Sequence, residues 1–69
     1  MSPEQAAANF ADARLGLLIA AHRGVANADH RQRLQFARTD AEAAGADLLS
    51  ALDAAELQFF AYVAAETTS

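Results

Sequence analysis

Hydrophobic positions recur along the chain at three- and four-residue spacing, and no stretch alternates strictly between apolar and polar residues. The pattern predicts helices and no strands. The opening Ser2-Pro3-Glu4-Gln5 reads as a helix start. Ser2 caps, Pro3 suits the first helical position, and Gln5 completes a capping box. Apolar residues continue to Ala21 and Gly24 suits the stop, which gives a first helix over about residues 3–23. The turn GVAN ends on Asn27, a second cap, and Asp29 complements the helix dipole; a second helix is predicted over about 28–50. In LDAAEL, Asp53 and Glu56 have capping-box spacing, and Leu52 and Leu57 hold the positions of a hydrophobic staple. A third helix is therefore predicted over about 54–66, with TTS as a frayed tail. One uninterrupted helix over 28–66 is the rival reading.

Projected at ~100° per residue, the first helix has a narrow polar sector of Gln5, Asn9, Asp12, Gly16 and Arg23. Its apolar residues cover more than half of the circumference, wider than the stripe of an ordinary surface helix. So wide a face predicts contact with two or more neighbours. Gly16, Ala20 and Gly24, four residues apart, form a ridge suited to close packing. Within the run RLGLLIAAHRG, Arg14 falls between Phe10, Leu17 and Leu18, and His22 lies beside Leu15 and Leu18. A guanidinium in that position snorkels to a rim or pairs with a carboxylate across an interface, since a buried unpaired one is too costly.

The predicted second helix gathers Leu34, Ala37, Ala41, Ala44, Gly45, Leu48 and Leu52 into a seam and leaves Phe36 on the opposite, polar face. The predicted third turns Leu57, Phe60, Ala61, Val63 and Ala64 inward, with Phe59 and Tyr62 to one side. Arg14, Leu18, Phe36, Phe59 and Tyr62 are accordingly the candidate interface residues.

Size sharpens this picture. A chain of 69 residues is one small domain over 1–69, and such a domain is marginally stable without a staple. There is no Cys, hence no disulfide and no thiolate metal site. Twenty of the residues are Ala, which favours helix but buries little area. The expected fold is all-α: three helices in a bundle completed by oligomerisation, with a homodimer as the default.

Charge adds one candidate site. The net charge of −4 disfavours a generic nucleic-acid binder. The segment from His22 to Arg38 nevertheless holds His22, Arg23, His30, Arg31, Arg33 and Arg38 against the single acid Asp29. These six residues are the candidate anion or ligand site, with the N–H groups at the start of the second helix as added donors. The same cations also suit a solvated patch, paired as Asp29 with Arg33 and Arg38 with Glu42.

Other chemistry is poorly served. His22 and His30 lack metal-ligand spacing, and Ser occurs only at 2, 50 and 69. No Ser–His–Asp arrangement and no Gly-rich phosphate loop stand out, so no enzyme, metal or cofactor is expected. A helix-turn-helix DNA binder, with Arg31, Gln32, Gln35 and Arg38 on its second helix, is a lesser reading. LGLLIAA is too short to span a bilayer and no basic segment precedes it, so no membrane and a cytoplasmic location are expected. The leading expectation is a non-enzymatic interaction module, a regulator, adaptor or inhibitor. The alternative is an oligomer that sequesters an anionic small ligand such as a nucleotide.

Overall fold

The computed structural model describes residues 1–68. Three helices follow one another: α1 over Pro3–His22, α2 over Ala28–Ala43 and α3 over Leu48–Thr68. The all-helical, three-helix expectation is met. The helix boundaries after residue 43 are not those expected.

Helix α1 begins where its sequence says. The Ser2 side chain accepts the Gln5 N–H at 3.1 Å. The Gln5 side chain turns forward instead and donates to Asn9 Oδ1 at 3.0 Å, so only half of the capping box forms. The helix closes in a Schellman turn: Gly24 N–H donates to Ala21 O at 3.1 Å and Val25 N–H to Ala20 O at 2.8 Å. Gly24 takes φ 74°, the left-handed conformation that glycine tolerates at no steric cost.

Helix α2 starts at the Asn27 cap, in a reciprocal form the sequence did not suggest. Asn27 Oδ1 accepts the His30 N–H at 3.1 Å, and the Asn27 N–H donates to His30 Nδ1 at 3.3 Å. His30 thus fills the place that Glu or Gln usually holds in a capping box. The helix ends at Ala43, not at residue 50. A second Schellman turn stops it: Gly45 N–H donates to Glu42 O at 3.2 Å and Ala46 N–H to Ala41 O at 2.9 Å. Gly45 takes φ 73°. The expected place of Gly45 on a helix face is therefore wrong, and so is the uninterrupted helix over 28–66.

The cap of α3 is Asp47. Its Oδ1 accepts the Ser50 N–H at 3.1 Å and its Oδ2 accepts the Ser50 hydroxyl at 2.8 Å. Both bonds favour the ionised carboxylate and hold the Asp47 pKa below its ordinary value. The capping box at Asp53 and Glu56 does not form, because both lie inside α3. The tail is helical as far as Thr68: the hydroxyls of Thr67 and Thr68 each bond back to the Ala64 carbonyl, at 2.9 and 3.1 Å. Ser69 lies outside the described residues.

Helix α1 is the middle element. It packs against both α2 and α3, while α2 and α3 barely meet. The wide apolar face of α1 thus finds the two neighbours it required. Ala6 and Phe10 near the start of α1 cluster with Ala41 at the end of α2 and Ala51 at the start of α3. His22 meets Glu66 at the other end. So α1 runs antiparallel to α2 and parallel to α3.

The buried core is Ala6, Phe10, Ala20, Ala41, Ala51 and Ala55. Five of these six are alanine, so backbones approach closely but little large apolar surface is covered. Leu48 and Leu52 pack on this core from α3, not from α2 as expected. The inner face of α3 is Ala51 and Ala55, flanked by half-buried Phe59 and Tyr62. The expected inward set fails for Leu57, Phe60, Ala61 and Ala64, which are exposed; Val63 is half-buried. Of the ridge of Gly16, Ala20 and Gly24, Ala20 is buried in the core, while a Cβ on Gly16 or Gly24 would meet nothing within 4 Å.

Candidate functional site: a basic groove between the helices

Because α2 and α3 hardly touch, a groove of about 640 Å³ opens between them. Its walls come from all three helices: Phe10, Arg14 and Leu17 from α1; Arg31, Leu34, Gln35 and Arg38 from α2; Leu48, Leu49 and Leu52 from α3. The lining is aliphatic and aromatic apart from Gln35 and three guanidiniums, and it includes no carboxylate. On a chain with net charge −4 this is a local concentration of positive charge. The volume lies in the range of small-molecule sites.

Arg14 is half-buried, and its Nε is shielded from water without a hydrogen-bond partner. A buried donor on a charged group is expensive to leave unsatisfied. Arg31 is exposed. Arg38 Nε lies 3.4 Å from Glu42 Oε1 in an exposed pair one helical turn apart, an interaction worth little in water.

The six cations expected to form one cluster are thus divided. Arg31 and Arg38 share the groove with Arg14, which the sequence had placed at an interface instead. His22, Arg23, His30 and Arg33 do not line it. His22 is at the far end of the molecule, 3.4 Å from Glu66 and edge-on to Phe59 and Tyr62 at ring-centroid distances of 5.7 and 6.3 Å. Arg23 forms the C-cap of α1. Arg33 is exposed, and of the two expected helical ion pairs, Arg38 with Glu42 is the one that forms among the described residues. His30 is engaged in the α2 cap, where the Asn27 side chain takes the His30 N–H and the His30 ring takes the Asn27 N–H.

The candidate interface residues are likewise distributed. Phe36 is 61% exposed on α2. Leu18 is half-buried on α1, and Phe59 and Tyr62 are half-buried against His22. The largest exposed apolar side chains of α3 are instead Leu49, Leu57 and Phe60. Helix α3 is also long and apolar enough, by length and composition alone, to cross a membrane. Sequence reasoning missed the groove because its lower lip, Leu48 and Leu49, was assigned to the wrong helix. The signal was present: Gly45 followed two residues later by Asp47 is a stop and a start.

Among the described residues no group of three His, Asp or Glu side chains is placed to hold a metal ion. Comparison of the chain with protein-family models, with curated proteins and with solved structures gives no match.

Proposed function

We propose that this chain is a non-enzymatic helical interaction protein that works as a homo-oligomer, and that it regulates, adapts or inhibits by occupying a surface. The observation that carries this reading is the outer face of α3. Leu49, Leu57 and Phe60 are 75%, 70% and 65% exposed there. Large apolar side chains gathered on one helix face are the mark of a binding surface. The surface area and radius of gyration agree. The chain exposes 4597 Å², against about 4200 Å² expected for a compact monomer of 7.3 kDa. Its radius of gyration is 12.5 Å, against about 11 Å for a compact domain of this length. The alanine-rich interior, with Phe10 as its one large buried side chain among the described residues, explains the excess: most large side chains have nowhere to go within one copy.

Sedimentation equilibrium over a wide concentration series tests the reading. Self-association is expected for the wild-type chain and is expected to weaken for Leu57→Asp or Phe60→Asp with the helical circular-dichroism signal retained. A wild-type chain that stays monomeric throughout would overturn it.

A second reading is favoured by one observation, the three guanidiniums and Gln35 around an apolar groove of small-molecule size. It is the capture of an anionic small ligand. It predicts extra mass in native mass spectrometry after incubation with a nucleotide, lost in Arg31→Ala. Absence of such mass with wild-type protein would remove it. The helix-turn-helix reading gains nothing, since Arg31, Gln35 and Arg38 face the groove of their own chain.

A further inference from the structure

We propose that the groove is filled by α3 of a second copy of this chain, whose Asp53 and Glu56 carboxylates meet Arg14, Arg31 and Arg38; this inference rests on the homo-oligomer reading above. The groove is defined by what it lacks. It holds three guanidiniums and no acid, and the Nε of Arg14 is shielded from water with no acceptor. The three guanidiniums that line the groove, rather than the shielded Nε itself, are what a carboxylate brought from outside can reach, delivered by an element that is otherwise apolar.

Helix α3 is such an element. At ~100° per residue, Leu49, Asp53, Glu56 and Phe60 fall within one stripe roughly 60° wide. All four residues are exposed. Two apolar side chains thus flank two carboxylates over about 16 Å of helix, at 1.5 Å per residue. The charges are complementary within one sequence: the chain carries no base after Arg38, and its groove carries no acid.

The arrangement also closes. Leu49 belongs both to this stripe and to the lip of the groove, so donor surface and acceptor surface are contiguous. A two-fold axis beside α3 then seats each α3 in the other copy's groove, and the same patch is used on both sides. That is the isologous geometry of a homodimer, and it leaves no open end for further growth.

The test is a charge exchange between two variants, Glu56→Arg and Arg31→Glu, each at an exposed helical position and each checked for native helicity by circular dichroism. Sedimentation equilibrium reads association of each variant alone and of an equal mixture. Each variant alone places like charges together at both symmetric contacts, and its dimerisation is expected to weaken at least tenfold. The mixture places opposite charges together at both contacts, and a heterodimer close to wild-type affinity is expected. If both variants dimerise as the wild type does, the groove is not the seat of α3, while the homo-oligomer reading stands. If both weaken but the mixture does not recover, the pairing proposed here is wrong. If the wild type is monomeric at every concentration, both readings fall. A monomeric wild type that co-sediments with neutral phosphatidylcholine vesicles would reassign the α3 face to a lipid surface and overturn the proposal.

Discussion

Replacing Gly45 by Ala separates the structure from the expected second helix over 28–50 by the sign of its effect. Were Gly45 inside a helix running through to residue 50, alanine would stabilise the protein by about 0.5–1 kcal/mol, the propensity gap between the two residues. In the structure Gly45 has φ 73° and closes α2. An L-residue in that conformation costs roughly 1–2 kcal/mol, offset in part by the about 0.4–1 kcal/mol that alanine removes from the entropy of the unfolded chain. A Cβ there meets nothing within 4 Å, so no clash adds to the cost. The net expectation is a loss of about 1 kcal/mol, a drop in Tm of roughly 4–8 °C for a domain of this size. Gly16→Ala is the internal control. That residue is exposed in the middle of α1 with nothing within 4 Å of a Cβ, and the full helix gain of about 0.5–1 kcal/mol is expected. Thermal melts at one fixed protein concentration measure both. A gain at Gly45 would refute the turn, and a loss at Gly16 would show that the small-residue ridge packs against something.

The cap of α3 gives a pH prediction. The Asp47 carboxyl titrates below its ordinary value because it accepts the Ser50 N–H and hydroxyl, so its contribution to stability is present above the ordinary carboxylate range. That contribution is lost as pH falls through the lowered value, and Asp47→Ala should flatten the acid limb of a Tm-against-pH curve relative to the wild type. An unchanged acid limb would argue against the cap. Asp53→Ala should do the opposite of a cap deletion: an exposed aspartate inside a helix gives way to the best helix former, for a gain of up to about 0.7 kcal/mol in urea melts below the association concentration. A loss of about 1 kcal/mol would restore Asp53 as an N-cap. Ala55 is fully buried where α3 packs inward, and Ala55→Leu should destabilise the fold by about 1–3 kcal/mol in urea unfolding. A neutral result would mean that the helices are farther apart than described.

Local signals were legible wherever the chain interacts with itself over a few residues. Ser2 and Asn27 cap the helices they were expected to cap, and Gly24 stops α1. Their hydrogen bonds close within three to five residues, and such rings depend on little beyond sequence. The same chemistry stands at Gly45 and Asp47, but a second, equally well-formed signature at Asp53 and Glu56 competed with it. Local rules rank such rivals poorly, because each cap is worth only about 1 kcal/mol. The tertiary structure chose. Starting α3 at Leu48 lets Ala51 and Ala55 pack inward, and Leu48 and Leu52 cover the core from α3.

The candidate site divides along the same line. The sequence by itself marked Arg14 as a cation misplaced in an apolar run, and Arg31 and Arg38 as cations wanting an anion. Only the packing of α1 against both neighbours, with α2 and α3 left apart, brought those three side chains to one groove and sent His22 to Glu66 at the other end. Helix content, the caps at Ser2 and Asn27 and the acidic balance are properties of short stretches of chain and were determined by the sequence alone. Which faces are covered depends on how closely alanine lets helices approach, and that distance, with the groove it leaves open, was decided by the tertiary structure.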